Sequence, residues 1–496
     1  MQQPEDNPLE SPRNNIQLRA SPRKWWVLLS IGLGALMFSV DVSIVYVSLP
    51  TLVEEFHSNF TIIQWVTLSY LLVIATSILG VGRWGDISNK KWLYLTGLVI
   101  FTLGSLLCGL ASTITYLIGF RALQGLGAVF ISALGAAIVT ETFAVSGCGF
   151  ALGTIGAISS LGVVLGPTIG GLLIGLGNWR WIFLVNVPIG MVASLMAIYS
   201  ISASHTPQIQ QRFDLWGALV MALALSCLTL GMTFGQTKGF DTPISLLLLI
   251  VTALSFICFL RLEVQVSEPI LDLKIFHNLK FSLSLLVGWT MYTVMAGTVF
   301  ILPFFLEWVK HYSVEHVGLL QAVLPISVGL VEPISGRLSD RFGWHILSLT
   351  GLIVMVFGCL SISTLDTELT SVGYILRVIP LGIGMGIFVS PNNTAIMNNV
   401  APKRLGVASA LLSLSRVLGH MVGVPLTGSL FLTFSLAKSP NLSSFELNNS
   451  NLARVPIAEL VFAEHAIFYI SGLILAMGVL LLIYGSFQSQ NKPQSV

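Results

Sequence analysis

The sequence predicts an all-α integral membrane protein: two six-helix bundles with pseudo-twofold symmetry plus an inserted pair of helices, 14 transmembrane helices in all. Three observations predict it. Of 496 residues, 54% are hydrophobic and only 9% are charged, and the mean hydropathy is +0.86. Apolar runs long enough to cross a bilayer recur fourteen times. One charged turn is written twice, GRWGDISNKK at 82–91 and GRLSDRFGWH at 336–345. A soluble globular chain carries roughly 25% charged residues. This chain has too little charge to cover a water-facing surface, so it belongs in lipid. A net charge of +2 is too small to suggest nucleic acid as a partner.

The elements follow in order. A polar tail occupies 1–24. The run from Trp25 to Leu49 exceeds the 7–15 residues of a signal-peptide core, and no small-residue cleavage site closes it. It reads as a retained first span. A crossing helix needs about 20 mostly apolar residues. Runs of that kind lie at 25–49, 61–82, 92–111, 114–140, 148–175 and 180–203, which make the N-terminal bundle at 25–203. Those at 214–236 and 243–261 form the inserted pair, within a segment 204–280 that ends in a charged linker. Those at 281–307, 317–336, 346–365, 371–398, 406–434 and 464–486 make the C-terminal bundle at 281–487, and a tail closes the chain at 488–496. The longest exterior loop, 435–463, is rich in Ser and Asn. Five cysteines are scattered without a C-x-x-C pair, so neither a metal site nor a disulfide framework is expected.

An even number of crossings puts both termini on one side, and Lys and Arg decide which. With the N-terminus inside, sixteen basic residues fall in interior segments and five in exterior ones, so both termini are expected in the cytoplasm of a cell-membrane protein. Arg121, Arg377 and Arg416 fall within spans. Trp25, Trp26, Trp179, Trp181 and Trp344 lie near span ends, where interface anchors belong.

The charged turn repeats with its surroundings. Arg121 follows Gly82 by 39 residues in RALQGLGA, and Arg377 follows Gly336 by 41 in RVIPLGIGMG. Gly-rich stretches come next, GVVLGPTIGG at 162–171 and RVLGHMVGVPLTG at 416–428. Spans 1–6 therefore pair with spans 9–14. Halves related by an axis along the membrane normal are one transporter plan. The turns place Gly82, Asp86, Lys90 and Lys91 in one interior loop and Gly336, Asp340 and Arg341 in the other. The cations hold the loops inside, and the acids can sit against a helix N-terminus or an Arg, a latch at the cytoplasmic mouth. In the fifth span Gly162, Gly166, Gly170 and Gly171 recur about every four residues, so one face lets another helix approach closely, and Pro167 can bend it.

These residues carry a resemblance. The chain resembles the major facilitator superfamily, and within it the fourteen-helix drug–proton antiporters. GRWGDISNKK is similar to that superfamily's G-x-L-x-D-R-x-G-R-K loop, with Trp84, Ile87 and Asn89 departing from it, and the second copy fits at Gly336, Leu338, Asp340, Arg341 and Gly343. RALQGLGA resembles the fourth-helix motif, whose Arg the resemblance links to proton transfer. GVVLGPTIGG resembles the antiporter motif of the fifth helix. DVSIVYVSLP at 41–50, NWRWIFLVNVPIG at 178–190 and FDLWG at 213–217 resemble stretches of the fourteen-helix group. The resemblance implies two bundles around a central cavity with alternating access.

An ionisable group inside a span costs about 2.5–3.5 kcal/mol on insertion scales and is a functional candidate by default. Asp41 lies ~13 Å from the outer end of the first span and Arg121 ~10 Å into the fourth, at 1.5 Å per residue. In the implied fold both helices line the cavity, and the two side chains are expected to face each other there. A carboxyl that alternates between an Arg partner and apolar surroundings exchanges a proton. Glu332, one turn before Gly336, has Ile78 as its counterpart, so the repeat does not require it. It is expected to carry a proton, attract a cationic substrate, or pair with Arg337, Arg341 or Arg416. Glu307 is expected in water at the outer interface, and Glu141 at the inner end of the fourth span. Tyr46, Trp65, Tyr70, Trp289, Tyr292, Asn392 and Arg416 are candidates for the cavity wall.

The sum is a non-enzymatic, proton-coupled exporter of small amphipathic or cationic organic compounds, working as a monomer in the bilayer with no cofactor beyond the proton gradient. No G-x-x-x-x-G-K-[ST] loop is present to bind ATP. The alternatives are a dedicated exporter of a glycolipid, saccharide or siderophore-like metabolite, and a membrane sensor that does not transport.

Overall fold

A computed structural model describes residues 22–143, 148–202, 215–265, 273–400, 405–436 and 455–490. Most of both tails, most of the 435–463 loop, and Arg13, Arg19, Arg212, Lys403, Arg404, Lys438, Arg454 and Lys492 lie outside the described residues, as do the side chains of Arg83, Asp86 and Asp340.

Every regular element among the described residues is helical. Lipid offers no hydrogen bonds to the backbone, so a crossing segment must satisfy its own amides. Among the described residues fourteen helices are long and apolar enough to cross: α1 Arg23–Glu55, α2 Phe60–Ile78, α3 Lys90–Gly109, α4 Ile114–Thr142, α5 Phe150–Gly175, α6 Trp181–Ser200, α7 Trp216–Lys238, α8 Pro243–Gln265, α9 Leu279–Val309, α10 Val314–Ser339, α11 Trp344–Ile362, α12 Ser371–Asn398, α13 Val407–Leu436 and α14 Ile457–Gly485. Matching caps start matching helices. The hydroxyl of Thr113 accepts from the Tyr116 amide at 3.3 Å before α4, and that of Thr370 accepts from the Gly373 amide at 3.2 Å before α12. The turns after α1 and α9 also agree: His57 (φ 46°) and His311 (φ 54°) both take the left-handed conformation.

The halves repeat in packing as well as in sequence. Within the first, α1 packs on α4, α5 and α6, α4 on α2 and α3, and α3 on α6. Within the second, the same pairs recur eight helices later: α9 on α12, α13 and α14, α12 on α10 and α11, and α11 on α14. Between the halves α5 meets α10 and α2 meets α13. The inserted helices pack on each other, and α7 also touches α2 and α13. Its Gln236 donates to Gln64 Oε1 at 3.3 Å and to the Pro425 carbonyl, which ties it to both halves.

Fourteen crossings bring the start of α1 and the end of α14 to one side, the terminal side. The opposite, far side is sealed. There Phe60 of α2 packs against Phe300 (5.3 Å between ring centres), Phe304 (4.9 Å) and Phe431 (5.5 Å) of the other half. Beside them α5 and α10 touch through glycines. A Cβ on Gly171 would lie 2.6 Å from the Val314 carbonyl oxygen, and one on Gly318 would strike the Pro167 carbonyl.

Three expectations are corrected. Trp179 is buried against Phe56 and Phe183 and does not face the interface, whereas Trp25, Trp26 and Trp181 are exposed. Glu307 sits in a π-helical turn, Phe305–Val309, half-buried, with Oε1 lacking a hydrogen-bond partner. The last helix begins at Ile457, seven residues before the expected 464. Its first turns carry Leu460, Val461 and Phe462 between the acids Glu459 and Glu464, which masked the apolar run.

Candidate functional site

Two constructions could bear function: a cavity between the halves and a buried cluster inside the first. The cavity holds about 580 Å³, within the 300–1,000 Å³ of sites for small organic ligands. Its lining includes Ile31, Ala136, Ile155, Glu332 and Asn393, all in the terminal-side halves of their helices, while the aromatic seal closes the other end. The conformation is open toward the terminal side. One helix, α5, shows both environments. Gly156 lines the cavity and a Cβ there would meet nothing within 4 Å, whereas Cβ atoms on Gly162, Gly166 and Gly170 would strike α1.

Most of the wall is apolar, with Ser39, Ser43, Ser132, Ser159, Ser160, Gln321 and Asn393 interspersed. Charge is concentrated on the second half. Arg416 lies deep in α13 yet keeps an exposed side chain, because what it faces is the cavity. Its guanidinium stands 5.2 Å from the centre of the Tyr292 ring. Glu332 of α10 lines the same space within electrostatic reach of Arg416. One turn along α13, His420 Nδ1 shares a hydrogen bond of 3.3 Å with the Tyr46 hydroxyl of α1, joining the two halves across the cavity.

The cluster lies elsewhere. Asp41 is fully buried, and its Oδ2 accepts from Arg121 at 2.7 Å. Its Oδ1 accepts from Gln124 Nε2 at 2.7 Å and from Asn186 Nδ2 at 3.0 Å. Arg121 also donates to the Val66 carbonyl at 3.0 Å and to Gln124 Oε1 at 2.6 Å, and its guanidinium stands 4.1 Å from the Tyr70 ring centre. Gln124 spends its second proton on Ser105 Oγ at 2.7 Å. Five helices, α1, α2, α3, α4 and α6, thus converge on one ion pair. Every contact to Asp41 is a donor, which suits an ionised carboxylate. Buried charges persist only when paired and hydrogen-bonded in this way.

A family model described as Major Facilitator Superfamily matches residues 31–424. The chain belongs to the major facilitator superfamily. Riboflavin transporter RibZ of Clostridioides difficile (strain 630) is 33% identical over 410 residues, 82% of this chain and 88% of that one. Multidrug resistance protein Stp of Mycobacterium tuberculosis (strain ATCC 25618 / H37Rv) is 32% identical over 404 residues, 81% and 75% of the two chains. Among solved structures, an inward-facing, unoccupied bacterial homolog of the human lysosomal transporter Spinster superposes with a TM-score of 0.67 at 15% identity, covering 96% of this chain and 100% of that one. At that identity the likeness shows the fold alone. This member of the superfamily is an integral membrane protein whose relatives are transporters.

The sequence-derived candidates divide among these places. Tyr46, Tyr292, Glu332, Arg416 and Pro167 line the cavity. Asp41 and Arg121 meet, but inside the bundle and not on the cavity wall. At 100° per residue, Asp41 points away from the stripe of Ser39, Ser43 and Tyr46 that does line it. Tyr70 is the platform under Arg121. Asn392 turns its amide to the Ser284 carbonyl at 3.2 Å, and its neighbour Asn393 takes the cavity position. Trp65 packs in the far-side core, and Trp289 is not among the lining residues. Of the turn residues, Lys90 is buried and bridges Glu141 at 2.8 Å, and Lys91 donates to the Ile198 carbonyl at 2.7 Å. Both bonds stay within the first half. A Cβ at Gly82 would meet nothing within 4 Å, one at Gly336 would lie 3.0 Å from Ser390 Oγ, and exposed Arg341 stacks over Phe342. Sequence reasoning missed Gln124, Asn186, Ser105 and His420. Gln124 was legible, since three residues after Arg121 is the same helix face. The others carry no local signal.

Proposed function

We propose that this protein exports small amphipathic organic compounds by exchanging them for protons, in the cell membrane, with the terminal side in the cytoplasm. The observation that carries the reading is the Asp41–Arg121 pair, the meeting point of five helices of the half that must move. In the conformation open to the terminal side Asp41 accepts from three donors. Once cargo has left on the far side, protonation from that side would cancel its attraction for Arg121 and release α1, α4 and α6 to shift back; the pair re-forms as the terminal-side mouth opens, and the proton leaves to the cytoplasm. The energy supply is adequate, since one charge crossing 100 mV gains about 2.3 kcal/mol. The multidrug relative supports export of varied compounds.

The test uses everted vesicles loaded with the chain. Efflux-direction transport of a fluorescent amphiphile is expected to stop when the proton gradient is collapsed; transport that continues unchanged removes antiport. Asp41→Asn is expected to abolish uphill transport and to spare expression and substrate exchange. Export of a single endogenous metabolite is a second reading, favoured by the riboflavin-transporting relative. Under it, a deletion strain accumulates one compound, and varied amphiphiles fail to cross.

A further inference from the structure

The repeat does not require Arg416, which interacts with Tyr292 and Glu332. Helices α5 and α13 occupy equivalent places, each packed on the first helix of its half. An offset of 261 residues brings Gly162 onto Gly423, two glycines whose added Cβ atoms would strike that first helix. The same offset carries the cavity stripe Ile155, Gly156 and Ser159 onto Arg416, Val417 and His420. The repeated scaffold therefore works with an isoleucine where the second half puts a guanidinium. Among the described residues no ion pair joins Arg416 to Glu332, although both line the cavity. The guanidinium is exposed to the cavity, 5.2 Å from the centre of the Tyr292 ring and one helical turn from the His420–Tyr46 bond. Arg presents its donors in a planar fork that suits oxyanions, and here the guanidinium already stands over a ring.

We propose that Arg416 anchors an acidic group, so that the cavity takes flat aromatic compounds bearing a carboxylate or a similar oxyanion in preference to lipophilic cations. The ring of the cargo stacks beside Tyr292 and Tyr46, and the oxyanion accepts from Arg416. His420 is freed to the cargo when its bond to Tyr46 breaks. Glu332 sets the limit on negative charge: it repels a second anionic group and keeps Arg416 from holding one permanently. The inference rests on the cavity being the cargo site and not on proton coupling.

The experiment is equilibrium binding to the purified full chain, read by fluorescence, with two probes on one scaffold, anthracene-9-carboxylate and 9-(aminomethyl)anthracene. The carboxylate is expected to bind at least ten-fold more tightly. Arg416→Gln is expected to erase that ratio, Arg416→Lys to keep part of it, and Glu332→Gln to enlarge it. A tighter amine, a ratio unchanged in Arg416→Gln, or no saturable carboxylate binding overturns the inference. The Lys variant and the Glu332 variant retain the test if the Gln variant does not fold. No gradient is present, so loss of proton dependence in vesicles leaves this result standing. An unchanged ratio beside gradient-driven efflux removes this inference alone.

Discussion

The two halves pack their helices in the same pairs and differ in where they place charge. In the first, Asp41 and Arg121 are buried, and Arg121, Gln124 and Asn186 all donate to the Asp41 carboxylate. In the second, the repeated Arg377 is half-buried at the far side, bonded to Thr364 Oγ1 at 2.8 Å and to the Gly373 carbonyl at 3.2 Å. Helix α9 carries no acid before Glu307 to meet it. The second half instead puts charge on the cavity wall, at Arg416 and Glu332, and buries one carboxyl, Glu464, whose two oxygens lack hydrogen-bond partners. Apolar packing can be copied by a repeat because many sequences satisfy it. A buried charge cannot, because each needs its own donors at fixed distances.

The contrast between the two repeated arginines can be broken first. Arg121→Leu strips a buried carboxylate of its partner and is expected to cost about 3–5 kcal/mol. Arg377→Leu, half-buried at a wet boundary, is expected to cost less than about 1 kcal/mol. Thermal unfolding of the two purified variants checks the difference; equal losses would mean the halves share more than packing. The sealed and open ends of α5 come next. Gly171→Leu collides with Val314 and Gly318 and is expected to shift the protein toward the state open on the far side. Gly156→Leu meets no neighbour and is expected to narrow the cavity without that shift. Cysteine labelling of each mouth distinguishes them.

Two smaller effects sharpen the comparison. Glu464 lies in a void of about 10 Å³ among Phe304, Trp308, Phe431 and Leu460. Removing an unsatisfied buried polar group recovers about 1–3 kcal/mol. Glu464→Leu is therefore expected to raise the melting temperature, where Asp41→Leu lowers it. Lys90→Ala is expected to cost about 1 kcal/mol or less, since Glu141 remains half-exposed to water.

Much of this was legible in the chain. Fourteen apolar runs, the doubled turn and the two Gly-rich stretches needed no coordinates, because lipid leaves a crossing segment only one backbone solution. That Asp41 and Arg121 would meet was also legible, from their depths together with the helix arrangement that the resemblance implied. That they would meet away from the cavity was not, since the rotation of α1 depends on which face α5 covers through Gly162, Gly166 and Gly170. Glu464 escaped notice because acids at the start of α14 broke the hydropathy pattern, and only burial by neighbouring helices draws it inside.

Composition and pattern alone determined that this protein is a helical membrane protein of two related halves, because the bilayer acts on every residue locally. Tertiary structure alone decided which charges are paired, which face the cavity and which end is sealed. Those outcomes depend on distances between helices far apart in the chain, and no local sequence pattern encodes a distance.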